Sequence, residues 1–267
     1  LNEKPGKGLQ SIIKICGLEK HAITIDDIVF KIGPRINAAG RMEVDAEGEN
    51  AAPSGGHSAV YLMVARDEEV ASEYGAFIDT CNQDRKNIDR SITQEAHEII
   101  ESRPELKNRK STVIYNPKWM KGIVGIVASR LVERTGRPVI VVTIDEHGEG
   151  KGSGRSVQGF NLHACIGSCA DLLVRYGGHA MAAGLSVREE NLPQLRRRLN
   201  EWAARECPVL HTPPLTCDVA IHLDRITVEC VRHLDQLAPY GAENPTPVFL
   251  LQSAVVDGVY PVSEGRH

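Results

Sequence analysis

The chain has 267 residues, 42% of them hydrophobic and 25% charged, and a formal net charge of −4 at neutral pH. This is the composition of a folded soluble chain of about two domains, and it carries no overall basic signature, so any nucleic-acid site has to be a local patch. Seven cysteines with no Cys-x-x-Cys pair indicate reduced thiols and a cytoplasmic protein, and no apolar run is long enough to span a membrane. The chain starts at Leu1 without a signal peptide, which suggests a piece of something longer.

Residues 1–8 form a polar, glycine-rich entry. Leu9 to Cys16 and Ile23 to Ile32 are short amphipathic stretches and predict helices. Gly33 to Arg41 follows, with Pro34 between two glycines, and reads as an irregular turn carrying Arg35, Asn37 and Arg41. Glu43 to Gly56 is acidic and rich in small residues, and predicts a mobile loop. Asp67 is a good N-cap for a helix with Glu68 and Glu69 in its first turn. Apolar residues then recur from Val70 to Ile99 at helical spacing, with Gly75 a candidate break and Arg103-Pro104 the end. Such a helix would be about 50 Å long, too long for one small core, and reads as a connector between two bodies.

Thr112 to Tyr115 predicts a short strand, Gly122 to Arg134 a helix stopped by Gly136 and Pro138, and Pro138 to Ile144 a strand buried on both faces. This is a β-α-β unit, with parallel strands and a right-handed crossover. Lys151 to Val157 can form another strand, Asn161 to Arg175 a helix, and Ala182 to Val187 a buried strand. Asn191 caps a last helix with Arg196, Arg197 and Arg198 on a solvated face. The fold class expected is therefore α/β: a small, mostly parallel sheet flanked by helices and preceded by the long helix. Beyond Cys207 the prolines Pro208, Pro213 and Pro214 form a linker. Leu215 to Leu223 alternates like a strand, Val228 to Leu237 is helical, and Val248 to Val262 is β-rich with Asp257-Gly258 at a hairpin or bulge. Ser263 to His267 reads as another turn, and the whole region as a partial β-barrel.

Two glycine-rich stretches can carry chemistry. Gly150-Lys151-Gly152-Ser153-Gly154-Arg155-Ser156 lacks the Lys-Ser/Thr pair of a nucleotide-binding P-loop. Its small residues, two hydroxyls and an arginine nevertheless suit a phosphate or carboxylate; it also fits a glycine-rich edge strand. Tyr176-Gly177-Gly178-His179 presents a histidine from a glycine turn without bulky neighbours, as a ligand-facing group or as a plain surface histidine. The sequence contains no clustered Asp/His set for two divalent metals and no nucleophile elbow.

Five blocks in order resemble one family, the RecJ single-strand-specific 5′→3′ DNA exonucleases of the DHH phosphoesterase group. Ile32 to Met42 is similar to the block closing the catalytic domain, and Trp119 with Gly122 to Leu131 to the first helix of the DHH-associated domain. Gly150 to Ser156 and Gly177 to Gly184 are similar to that domain's two substrate motifs, and Leu237 to Phe249 to the entry of the OB-fold. The resemblance implies that residues 1–66 end the catalytic domain, 67–104 connect, 105–206 form the DHH-associated domain and 207–267 a partial OB-fold.

It further implies single-stranded DNA as partner, with single-strand-binding protein or a helicase as others, a monomer, and a role in repair and recombination. Mn²⁺ or Mg²⁺ would be bound by an upstream domain and no metal by these residues. Substrate phosphate would be held by Ser153, Gly154, Arg155 and Ser156 with Gly177, Gly178, Arg35, Asn37 and Arg41, and His179 would face the scissile nucleotide as the catalytic residue. Met120 departs from the family pattern, which often has His there. The alternatives are a non-catalytic single-strand-binding or partner-docking module, and a nanoRNase or cyclic-dinucleotide phosphodiesterase of the wider DHH group.

Overall fold

The N-terminal helices pack on one another through a small apolar cluster. α1 (Lys7–Ile15) buries Ile12 and Ile13 and stops at Gly17, whose φ of 68° suits glycine. α2 (Ile25–Asp27) starts at Thr24, whose Oγ accepts from the Asp27 N–H at 3.2 Å while the Asp27 carboxylate accepts from the Thr24 N–H at 3.1 Å. A wider π-helical turn, Ile28–Ile32, leads directly into α3 (Gly33–Ala39). Gly33 to Arg41 is thus mostly helix and not the irregular turn expected. Pro34, which has no N–H to donate, sits where the π-helical turn hands over to α3. This is the computed structural model of the chain, and it describes residues 1–42, 55–107, 109–207, 215–241 and 243–260. Residues 43–54 of the acidic loop, the proline linker at 208–214 and the terminal turn lie outside the described residues.

After α4 (Gly55–Val64) comes α5 (Glu68–Glu101), 34 residues and about 51 Å at 1.5 Å per residue. The Asp67 carboxylate accepts from the N–H groups of Glu69 and Val70, as the sequence predicts. Gly75 does not break α5. A Cβ there would collide with Ser11 Oγ, so the glycine lets α1 lie close. The first half of α5 joins Ile78 to the cluster of Ile12, Leu18, Ile32 and Leu62, and the second half gives Ile92, Ala96 and Ile100 to a different core. One helix is therefore shared by two packed layers. A short α6 (Pro104–Lys107) ends the helical segment.

The sheet contains β1 (Thr112–Tyr115), β2 (Val139–Ile144), β3 (Glu149–Arg155), β4 (Leu173–Gly178) and β5 (Ala182–Arg188), in the order β1-β2-β3-β5-β4. α7 (Val124–Thr135) crosses over between β1 and β2, which pair in parallel as the β-α-β pattern requires. The other three pairings are antiparallel, so the sheet is mixed and not mostly parallel. For two of the three the reason is the connection. β2 turns into β3 through Asp145–Gly148, with Gly148 at φ 73°, and β4 turns into β5 through His179–Met181. Turns this short can join only antiparallel neighbours.

Asn161 to Arg175 is a helix only over α8 (Leu162–Gly167). A 3₁₀ turn at Ala170–Leu172 ends it and β4 begins at Leu173. α9 (Leu192–Glu206) closes the layer. Of Arg196, Arg197 and Arg198 only Arg197 stays on a solvated face. Arg196 Nε donates to the Val113 carbonyl at 2.9 Å with its guanidinium over Tyr115, and Arg198 pairs with Asp171 at 2.6 Å.

The two faces of the sheet differ. Ile140 and Val142, with Ala183, Leu185 and Val187, pack beneath α8 and α9. On the opposite face Val139 and Val141 lie under α7, with Trp119 and the second half of α5. α7 packs chiefly on β2 and β3, and Arg175, Gly177 and Gly184 of β4 and β5 stay exposed on that face.

Residues Leu1–Thr212 and Pro213–His267 are separate compact units. In the second, β6 (Val219–Ile221) pairs in parallel with β7 (Phe249–Leu251), and α10 (Val228–Asp235) starts at Thr227, whose Oγ accepts from the Cys230 N–H. The strands are shorter than the alternation of Leu215 to Leu223 and the β-rich run from Val248 predict, and Asp257-Gly258 lies in no strand. Among the described residues no helix is long and apolar enough to cross a membrane.

Candidate functional site

Along β3, alternate residues point to opposite faces. Gly150, Gly152 and Gly154 point into the core: a Cβ on Gly152 would stand 3.0 Å from Leu185 Cδ1, and one on Gly154 2.8 Å from Leu162 Cδ2. Lys151, Ser153 and Arg155 point to the open face. In register with them are Ser186, Gly184 and Ala182 of β5, and next in line Arg175 and Gly177 of β4. The result is a cleft of ≈ 480 Å³ whose lining includes Ser153, Gly177 and Gly184, with Lys121, Lys151 and Arg175 at its rim.

The paired glycines Gly177 and Gly184 make the floor. A Cβ on Gly177 would meet nothing within 4 Å, and one on Gly184 only the Gly152 carbonyl oxygen at 3.7 Å. Packing does not require glycine at either position, yet no side chain stands there, so a ligand can reach the backbone itself.

The cationic side chains are held in place. Arg155 Nη1 donates to Ser153 Oγ at 3.0 Å and to the Gly154 carbonyl at 2.9 Å. Gly125, at the start of α7, lies against the same pair, with Arg155 Nη2 3.2 Å from where its Cβ would be. Partial burial, and then the charge of Arg41, pull the Arg155 pKa below the usual arginine range. Arg175 Nε donates to Ser186 Oγ at 3.2 Å. Lys151 is bonded to Glu149, and that hydrogen bond is the main reason the Glu149 carboxyl titrates below its ordinary value.

The residues singled out in the sequence separate into three groups. Ser153, Arg155 and Gly177 share the open face, and Arg41 reaches its edge: the Arg41 carbonyl lies against Gly122, and Arg41 Nη1 donates to the Gly122 carbonyl at 3.4 Å. His179 stands exposed at the β4–β5 turn, where its N–H donates to the Ala182 carbonyl at 2.8 Å.

The second group is structural. Gly154 faces the core, and Ser156 is buried with its hydroxyl donating to the Phe160 carbonyl at 2.8 Å. Gly178, at φ 135°, backs onto Ala183.

The third group lies elsewhere. Arg35 Nε pairs with Asp79 on α5 at 2.8 Å, and Asn37 stands exposed on α3 and shares no hydrogen bond with Arg155 or Ser153 among the described residues. Lys121 and Arg175 were not expected. Arg175 has the same strand parity as Gly177, a signal visible once β4 is read as a strand. Met120 packs against the apolar cluster beneath α7, which accounts for an apolar residue there. Among the described residues no group of three or more His, Cys, Asp or Glu side chains could hold a metal ion.

This architecture defines a class: residues 108–205 match the DHHA1 domain and residues 217–267 the RecJ OB domain. The chain is 36% identical over 261 residues to the Single-stranded-DNA-specific exonuclease RecJ of Bacillus subtilis, covering 97% of this chain and 32% of that one. Two crystal structures of RecJ from Thermus thermophilus are similar to it. The Mg²⁺ complex has a TM-score of 0.76 at 27% identity over 91% of this chain and 35% of that one. The Mn²⁺ complex has 0.75 at 28% over 92% and 34%. The chain thus carries, in order, the DHHA1 domain and the OB domain of RecJ proteins, and it spans about a third of the length of these relatives.

Proposed function

We propose that this chain is the substrate-binding part of a longer, metal-dependent exonuclease that removes nucleotides from single-stranded DNA in the 5′→3′ direction, in cytoplasmic DNA repair and recombination. The observation that carries the reading is the bare glycine floor of Gly177 and Gly184, in a cleft lined also by Ser153, Arg175 and Lys121, with Arg155 on the same sheet face. A strand can lie with its sugar-phosphate backbone against main-chain atoms while cations neutralise it. Arg155 can hold two oxygens of one phosphate, and Ser153 fixes its guanidinium for that.

His179, on the exposed turn, would donate a hydrogen bond to charge developing on a phosphoryl oxygen. The described residues do not fit a divalent ion, so Mg²⁺ or Mn²⁺, which would supply the activated water, is assigned to the remainder of the parent protein. The match to the RecJ OB domain supports single-stranded DNA as the partner.

The test uses the longer parent and this chain side by side, with a 5′-phosphorylated single-stranded oligonucleotide and Mn²⁺. The parent is expected to release nucleotides and this chain none. In the parent, His179→Ala is expected to lower kcat about 10²-fold, with a smaller change in KM. Nucleotide release that copurifies with this chain, or an unchanged kcat in the variant, would contradict the assignment.

A further inference from the structure

The glycines that begin α7 bring a second group of arginines beside Arg155. Gly122 lies on the carbonyl of Arg41, and Gly125, one turn on, lies against Arg155. Farther along α7, Arg130 Nη2 stands 2.7 Å from Asp89 Oδ2 of α5, an ion pair off the line of a hydrogen bond. Arg85, one turn before Asp89 on α5, donates from Nη2 to Asn82 Oδ1 at 3.3 Å. The charges that act on Arg85 are Asp89, Arg130 and Arg41, and Arg41 acts on Arg155 as well. Arg85 and Arg130 therefore share the Asp89 carboxylate, and Arg41 links this group to Arg155.

That arrangement leaves two things unmet. The first is charge: among the described residues Arg41, Arg85 and Arg130 face the single carboxylate of Asp89, a surplus of two positive charges, and burial with two like-charged neighbours pulls the Arg85 pKa down. The second is hydrogen bonding. Arg85 Nε and Asn82 Nδ2 are buried donors without a partner among the described residues, and Asn82 is only 1% exposed. Buried donors ordinarily find acceptors. An anion with several acceptor oxygens supplies both, and the Arg130 side chain, 46% exposed, leaves the cluster open to solvent.

We propose that Arg41, Arg85 and Arg130 form a second phosphate site, distinct from Arg155, that takes a further phosphodiester group of the bound strand. Asp89 is its positioning residue. It holds Arg130 toward α5 and keeps the arginines from dispersing into solvent. The proposal rests on the reading of the open sheet face as a strand-binding surface, because Arg41 lies next to both sites and makes them successive stations for one backbone.

The experiment measures binding of a 5′-phosphorylated single-stranded oligonucleotide to the full 267-residue chain, from low to moderate salt. Arg85→Gln, Arg130→Gln and Arg155→Gln are compared singly, and Arg130→Gln and Arg155→Gln together. Arg85→Gln and Arg130→Gln are each expected to weaken binding roughly three- to tenfold and to flatten the log-log salt slope by about 0.7, Arg130→Gln in the presence or absence of Arg155. Should Arg85→Gln fail to fold, Arg130→Gln on the exposed side carries the test.

Unchanged affinity and slope in folded Arg130→Gln protein would overturn the proposal, as would failure of the unaltered chain to bind at low salt. If Arg155→Gln has no effect while Arg130→Gln does, the second site stands and the assignment of Arg155 falls. If inorganic phosphate raises the thermal midpoint in an Arg130-dependent way while oligonucleotide affinity is unaffected by Arg130→Gln, the site takes free phosphate and the strand reading is overturned.

Discussion

Two sets of glycines sit within one small sheet and answer to different constraints. On the covered face, Gly152 and Gly154 are glycine because Leu185, Val142, Leu162 and Ile140 already fill the space a Cβ would take. On the open face, Gly177 and Gly184 have that space and leave it empty. The first pair is explained by packing alone. The second has no packing reason, and with Arg175 and Lys121 lining the cleft and Arg155 on the same face it is where the proposed strand would lie. Glycine content thus says little by itself; what a side chain would strike says which glycines serve folding and which leave room for a ligand.

The contrast can be broken from either face. The largest expected effect is on the open side: Arg155→Ala should weaken oligonucleotide binding by about 1.5–3 kcal/mol, roughly tenfold to a hundredfold, at an almost unchanged thermal midpoint. Loss of stability without loss of affinity would make Arg155 a structural residue. On the covered side, Gly154→Val should cost about 1–3 kcal/mol in denaturant unfolding, because its methyl groups would press on Leu162 and Ile140. A neutral result would mean that the core there is loose and the contrast false.

The smallest effect concerns Glu149, which shares the open face with Lys151 and offsets its charge. Glu149→Gln should tighten oligonucleotide binding roughly two- to threefold. Because the hydrogen bond from Lys151 lowers the Glu149 pKa, its stabilising contribution is present above the unfolded carboxylate value and is lost as pH falls through the folded one. The stability difference between the unaltered chain and Glu149→Gln should therefore shrink on the acid side, and a difference independent of pH would exclude the ion pair as its source.

Much of this architecture was legible before any coordinates. β1, α7 and β2 follow from β-branched runs separated by a helical period and stopped at Gly136, which takes up φ 63°. α5 follows from its cap and its apolar spacing. β4 was not legible, because Leu172, Leu173 and Arg175 continue the spacing of α8 and its exposed residues carry no alternation. Without β4 the sheet looked parallel, and Arg175 had no face to stand on.

The site was legible in part for a similar reason. Arg35 and Arg41 belong to one motif and look equivalent in a turn. On a helix, residues six apart point about 120° away from each other. Arg35 is therefore held by Asp79, and Arg41, just past the end of α3, reaches the loop before α7. Ser153 and Ser156 likewise look equivalent until strand parity turns one outward and the end of β3 buries the other.

The measurement that bears most directly on the account is Gly184→Val. The strand position has room for the side chain, and valine suits a strand better than glycine does. The account predicts an unchanged or raised thermal midpoint together with roughly a tenfold or greater loss of affinity for a 5′-phosphorylated single-stranded oligonucleotide. A stable variant that binds the oligonucleotide as tightly as the unaltered chain would show that nothing uses the open glycine floor.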